Sequence, residues 1–115
     1  MLRAMLRLFC FAGICLASTA LAGDAGARID AGQARELVRL VRQDCGSCHG
    51  MTLAGGLGPA LTREALADKP VENLAATILY GRNGTAMPAW KSLLSEHEAE
   101  WIAARLVEGF PEERR

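Results

Sequence analysis

The stretch Asp44-Cys45-Gly46-Ser47-Cys48-His49-Gly50 carries two cysteines three positions apart and a histidine directly after the second. On a tight helical turn, two thiols at that spacing lie on one side, where both reach the vinyl groups of a single porphyrin. Thioethers formed there hold the ring against the backbone. His49, next to the second thiol, is then placed under the iron as its proximal ligand. C-x-x-C-H is the attachment signature of c-type haem. Three plainer readings compete. A structural zinc site needs four ligands in close pairs, and the other histidine, His97, stands far along the chain. A Cys45–Cys48 disulfide would leave His49 and the glycines after it unexplained. A thioredoxin-like redox pair needs a βαβ setting, and no segment alternates with period two for long enough to be a strand.

A haem iron has two faces, and a ligand for the far one must come from a segment remote from His49. Met1 and Met5 lie in the leader discussed below, and Met51 is two residues from His49, on the proximal side. Met87, within Gly84-Thr85-Ala86-Met87-Pro88, sits on a loop bounded by glycine and proline. That is not core-helix spacing, and a thioether there can be held out to iron. His97 is the rival ligand, expected two residues into the last helix and facing solvent. His49 with Met87 would fill both axial positions and favour the reduced iron, leaving no open site for substrate. Electron transfer therefore fits better than catalysis. Gly55, Gly56 and Gly58 would let backbone approach the flat ring where a Cβ would clash, and the carbonyl of Pro59 or a neighbour could accept the other ring N–H of His49.

The N-terminus reads as an export signal over residues 1–22. Arg3 and Arg7 form a positive start, residues 8–16 are apolar, and Ala20-Leu21-Ala22 offers the small-x-small cleavage pattern. The apolar run falls short of the ~20 residues of a spanning helix. A periplasmic location without stable membrane insertion is expected, in keeping with c-type haem being attached outside the bacterial cytoplasm. Cys10 and Cys15 leave with the signal, so Cys45 and Cys48 are the cysteines that remain. Residues 23–32 are expected to be a flexible leader and residues 33–115 one monohaem domain. A chain of 115 residues holds a single small domain. Its 50% hydrophobic and 23% charged content excludes a disordered chain. With 13 basic against 13 acidic residues and no basic run, nucleic acid is excluded as a partner. At 5% aromatic, the chain has few large side chains to fill a core, and a cofactor is expected to do part of that work.

The expected class is all-α, three to four helices with long loops around one covalent haem. Residues 33–43 carry Leu37, Val38, Leu40 and Val41 on one helical face, and the C-x-x-C-H stretch ends that helix in a turn. Residues 62–67 suit a short helical turn. Pro70 suits the first position of a helix running to Tyr80, with Gly81 as its left-handed C-cap. Ser95 and Glu98 form a capping box that opens a last helix to about Glu108, ended by Gly109 and Pro111.

With C-x-x-C-H at 45–49, Gly58-Pro59-x-Leu61 and Met87-Pro88 in that order, the chain resembles the class I c-type cytochromes over residues 33–110. The resemblance implies that the helices before the motif and at the C-terminus cross and pack. It also implies that His49 and Met87 ligate the iron and that the Pro59 carbonyl holds the His49 ring. The chain departs from many members of the family at the helix crossing. Leu37, Val41 and Arg105 stand where a glycine, an aromatic and a tyrosine are common, and an aromatic comes one turn earlier at Trp101. A closer similarity is carried by Cys45 to Leu53, by Gly55-Gly56-Leu57-Gly58-Pro59-Ala60-Leu61 and by Gly81 to Trp90. Leu94-Ser95-Glu96 and Glu100-Trp101-Ile102 add to it. Together these resemble the small monohaem cytochromes of denitrification gene clusters that accompany the cytochrome cd-type nitrite reductase. That similarity implies a periplasmic electron donor to the reductase, or a helper in maturing its d-type haem.

As a carrier the chain is expected to be a monomer that docks briefly on redox partner proteins. Arg82 and Lys91 flank the Met87 loop, where Ala86, Pro88 and Ala89 make a small apolar patch, and transient redox contacts bury little area. Glu96, Glu98, Glu100, Glu108, Glu112 and Glu113 gather toward the other end and could orient an encounter. The contrary class is a haem sensor or peroxidase-like protein with a labile sixth position. It would need a distal acid–base group, for which only His97 is a candidate, and carbon monoxide binding to the reduced protein separates the two classes.

Overall fold

The computed structural model describes residues 28–111, and the expected export signal and residues 23–27 of the expected leader lie outside them. Helix α1 (Ala31–Leu40) starts earlier than the apolar pattern suggests, so residues 31 and 32, expected in the leader, are helical. The cause is a capping box. The Asp30 carboxylate accepts from the amides of Gly32 at 2.7 Å and Gln33 at 2.9 Å, and the Gln33 side chain returns to the Asp30 amide at 3.1 Å. Three amides at the helix N-terminus, those of Asp30, Gly32 and Gln33, thereby find acceptors.

The helix does not stop at the motif. It passes through one π-turn (Val41–Cys45) into a short α2 (Gly46–His49), and ends at Gly50, whose φ of +87° suits glycine. The seven-residue stretch expected to be a closing turn is thus mostly helix. Within the π-turn the Gly46 amide bonds to the Val41 carbonyl, five residues back. The wider turn lets two consecutive residues, Val41 and Arg42, be buried together. Arg42 is bonded there to the segment that follows α5. Its Nη2 donates to the carbonyls of Phe110 and Pro111, both at 3.0 Å, and its guanidinium lies 5.6 Å from the Phe110 ring centre.

Helix α3 (Arg63–Leu66) is capped by the Thr62 hydroxyl, α4 (Val71–Tyr80) follows Pro70, and α5 (Glu96–Glu108) opens on Ser95. Pro70 stands at the N-cap rather than inside the first turn, with extended ψ of 138°. The Ser95/Glu98 capping box is present in both directions. No strand occurs among the described residues. Helices α3 and α4 both pack on α5. Leu37 and Val41 belong to the same buried cluster as Ala99, Ile102, Ala103 and Leu106 of α5. Arg105 turns instead to its own helix, 5.9 Å from the Trp101 ring centre and 2.9 Å from the Glu108 carboxylate. Arg63 closes the C-terminal end of α5 by donating through Nε to the Glu108 carbonyl at 3.0 Å and through Nη2 to the same oxygen. Among the described residues no helix is long and apolar enough to cross a membrane.

Candidate functional site

Cys45 and Cys48 are both free thiols, one half-buried at the end of the π-turn and the other exposed on α2. Burial, with the Asp44 carboxylate beside it, pushes the Cys45 thiol from 9.0 up to about 11. His49 ends α2 with its imidazole held from two directions. Its Nδ1 lies 2.7 Å from the Pro59 carbonyl. A carbonyl only accepts, so Nδ1 carries the hydrogen, and in the neutral ring Nε2 is left with its lone pair. From the other side Gly58 presses on the ring. A Cβ there would stand 2.7 Å from Cε1 and 2.8 Å from Nδ1.

The glycines were expected to admit the flat ring of the cofactor. In the structure the missing Cβ atoms of Gly56 and Gly58 also make room for the motif itself. A Cβ on Gly56 would stand 2.8 Å from the Cys48 carbonyl, and Gly58 is set against the His49 ring. The loop is pinned to the motif by backbone bonds: Gly55 N to His49 O and Gly58 N to Cys48 O, both at 2.8 Å. Leu53, buried with φ of +60°, is held at the loop's start by its amide to Gly50 O and at its end by Leu61 N to its own carbonyl, both at 2.8 Å. Such a conformation in leucine persists only where burial and bonding enforce it. The result is a rigid loop that presents the Pro59 carbonyl to the histidine and leaves Leu57 94% exposed at its tip.

Met87 is half-buried on the second loop, which folds back on the end of α4. The amides of Trp90 and Lys91 donate to the carbonyls of Ile78 and Leu79, both at 3.1 Å, taking up acceptors that the helix end leaves open. Gly81 has φ of +68° but extended ψ of −166°, so it is not the left-handed cap expected from sequence. Its reason is close approach: a Cβ there would stand 2.7 Å from the Met87 carbonyl. The Met87 amide lies 3.3 Å from the Thr85 hydroxyl, and the Met87 carbonyl accepts from Arg82 N at 3.3 Å. The structure thus joins His49 to Pro59 and Gly58, and fixes Met87 separately through α4. His97 lies on the first turn of α5, 41% exposed, with Nδ1 3.8 Å from the Glu100 carboxylate.

Two participants escape sequence reasoning. Helical periodicity sets Arg42 with Arg35 and Arg39 on the polar side of the first helix, whereas the π-turn, which leaves no periodic signature, buries it. The contact of Gly58 with the imidazole leaves no local sequence signal. Among the described residues, no group of three or more His, Cys, Asp or Glu is placed so that it could hold a metal ion. The donor set fits a covalent haem: two reduced thiols on successive turns and an imidazole whose Nε2 lone pair is free while Nδ1–H is engaged.

Residues 32–104 match the family model described as cytochrome c oxidase, cbb3-type, subunit III. The chain is 59% identical over 75 residues to cytochrome c55X of Stutzerimonas stutzeri, spanning 65% of this chain and 66% of that protein. It is 56% identical over 89 residues to cytochrome c55X of Pseudomonas aeruginosa, spanning 77% of this chain and 75% of that protein. Among solved structures, the c-type cytochrome NirC superposes with a TM-score of 0.67 at 57% identity, covering 69% of this chain and 93% of that one. The dihydro-heme d1 dehydrogenase NirN superposes with a TM-score of 0.58 at 34% identity, over 67% of this chain and 16% of that one.

Proposed function

The chain belongs to the c-type cytochromes, as a member of the cytochrome c55X family with covalently bound haem c, and from that membership we propose that it is a periplasmic monohaem carrier of single electrons that donates to dissimilatory nitrite reductase in denitrification. The observation that carries the reading is the 2.7 Å approach of His49 Nδ1 to the Pro59 carbonyl. It orients the imidazole and fixes its tautomer, as a partner to the non-ligating nitrogen does at metal sites generally.

In this reading Cys45 and Cys48 hold the group. Thioether bonds from these two sulfurs would fix it covalently. His49 through Nε2 and Met87 through its thioether would hold the iron. When bound, the haem supplies reversible one-electron chemistry at a potential raised by His/Met ligation. The remaining work belongs to the chain. The loop at 50–59 keeps the histidine from rotating, the end of α4 sets the Met87 loop, and Arg82 and Lys91 flank that loop as the docking edge for a partner.

Reduced and oxidised spectra with and without carbon monoxide, recorded beside Met87→Ala, test the assignment. A covalent low-spin haem that takes up carbon monoxide only after Met87 is removed is the expected result. Ready uptake by the wild type would make the sixth position open and turn the reading toward a sensor or peroxidase-like protein. A second reading, a helper in maturing the d-type haem of nitrite reductase, draws on the 34% identity to a domain of the dihydro-heme d1 dehydrogenase. It is separated by the reductase itself. If donation is the role, reductase from a strain lacking this chain keeps its full d-type haem content. If maturation is the role, that content falls.

A further inference from the structure

At about 100° per residue, an unbroken α-helix would set Cys48 about 20° from Leu37 around the axis and His49 about 120° away. Leu37 and Val41 define the buried stripe. Unbroken helix would therefore aim Cys48 into the core and His49 away from it. The π-turn absorbs one extra residue and turns everything after it back by about 100°, leaving Cys48 about 80° off the stripe and His49 about 20° from it. The structure agrees: Cys48 is exposed, and His49 is half-buried against Gly58 and Pro59.

A turn of this kind needs a cause, because an α-turn has better geometry. Arg42, inside the π-turn and only 8% exposed, supplies one through its bonds to Phe110 O and Pro111 O. Those two carbonyls and the Phe110 ring, 5.6 Å from the guanidinium, help offset the cost of burying its charge. The Ser47 hydroxyl adds a bond of 2.6 Å to the Asp44 carbonyl within the same turn.

We propose that the π-turn at Val41–Cys45, pinned by Arg42 to the carbonyls of Phe110 and Pro111, is the register device that turns Cys48 outward and His49 inward. Arg42 is thereby a positioning residue for haem attachment. The proposal rests on the attachment reading above.

The test uses the full chain, exported together with a haem-attachment apparatus, and counts thioethers by intact mass and by alkylation of remaining thiols after denaturation. Wild type and Gln43→Ala, which keeps the length, should show no alkylatable thiol. Deleting Gln43, which restores α register, should lower the doubly linked fraction at least tenfold and leave Cys48 open to alkylation. A second arm measures amide exchange in the holoprotein. Arg42→Met should speed exchange at Gly46, whose amide spans the π-turn, at least tenfold while leaving Leu106 in α5 unchanged, and Arg42→Lys should restore part of the protection. A deletion variant doubly linked to the wild-type extent would overturn the proposal. So would Arg42→Met protein in which Gly46 is no faster than in wild type, or in which Leu106 speeds up equally. If the deletion yields no folded chain, the exchange arm decides. Free thiols in the wild type would instead sink the attachment reading itself.

Discussion

A Cβ on Gly58 would stand 2.7 Å from Cε1, 2.8 Å from Nδ1 and 3.2 Å from Nε2 of His49, so a single methyl group there cannot coexist with the imidazole in its present place. The ring must move or the loop must open, and either change loosens the bond from Nδ1 to the Pro59 carbonyl. Overpacking of this kind costs about 1–3 kcal/mol. Gly58→Ala is therefore expected to lower thermal stability by that amount and to weaken the Nδ1–H signal of His49 in proton spectra of the holoprotein. An unchanged Nδ1–H resonance would mean that the loop yields and the histidine does not. At Cys45 the consequence is one of pH. Its folded pKa is raised from 9.0 to about 11, chiefly by burial and next by Asp44. Before the cofactor is attached, the unfolded chain therefore loses the Cys45 proton first. The stability this thiol lends is complete below about 9 and drains away as pH rises to about 11. In cofactor-free protein at pH 8, alkylation is expected at exposed Cys48 well ahead of Cys45, read by peptide mass, and equal labelling would show that Cys45 is not buried in solution.

At the scale of elements, helix ends decide how far each segment runs. Ser95→Ala removes the hydroxyl that accepts from Glu98 N at 3.2 Å, and Asp30→Ala removes the carboxylate that holds the first turn of α1. Each should cost about 1 kcal/mol, which for a domain of this size lowers the midpoint of thermal unfolding by about 4–8 °C. A shift under about 1 °C for Ser95→Ala would mean that the α5 end is already frayed. The two caps also show what the sequence could and could not tell. Ser95 and Glu98 precede a clear apolar period, so the start of α5 was legible. Asp30 and Gln33 form the same device, but no large apolar residue stands between them, so the apolar pattern alone starts α1 two residues late. The π-turn was illegible for a different reason. Periodicity is read against 3.6 residues per turn, and a single wide turn shifts the phase without breaking the pattern on either side. Gly81 taught the reverse. Its presence after a helix suggested a left-handed cap, whereas the space it leaves is taken by the Met87 carbonyl from a loop that no local rule connects to it.

At the scale of the whole molecule, the local signals that placed Cys45, Cys48, His49 and Pro59 gave no account of how distant segments hold one another. Arg63 reaches across to the Glu108 carbonyl and Arg42 to Phe110 and Pro111, contacts that only the folded chain brings together. The distribution of charge is likewise a property of the fold. Lys91 is set over the Tyr80 ring, 5.0 Å from its centre, and its backbone is tied to Leu79, so its charge is held beside the Met87 loop rather than sweeping freely through solvent. Exposed Arg82 stands at the other end of the same loop, while Glu96, Glu98 and Glu100 crowd the first turns of α5. If this loop is the docking edge, charge there acts on the encounter rate more than on the bound complex. Lys91→Glu should then lower the second-order rate of electron transfer to nitrite reductase by about tenfold at low ionic strength. The deficit should shrink steadily as the Debye length falls from about 10 Å at 0.1 M to about 3 Å at 1 M salt. Losing the cation over Tyr80 should cost only about 0.5–1 kcal/mol of stability, and the absorption spectrum should not change, so a slower rate cannot be blamed on a damaged site. Stopped-flow rates that match the wild type at every salt concentration would remove this loop from the docking edge and point to the uncharged loop around Leu57 instead.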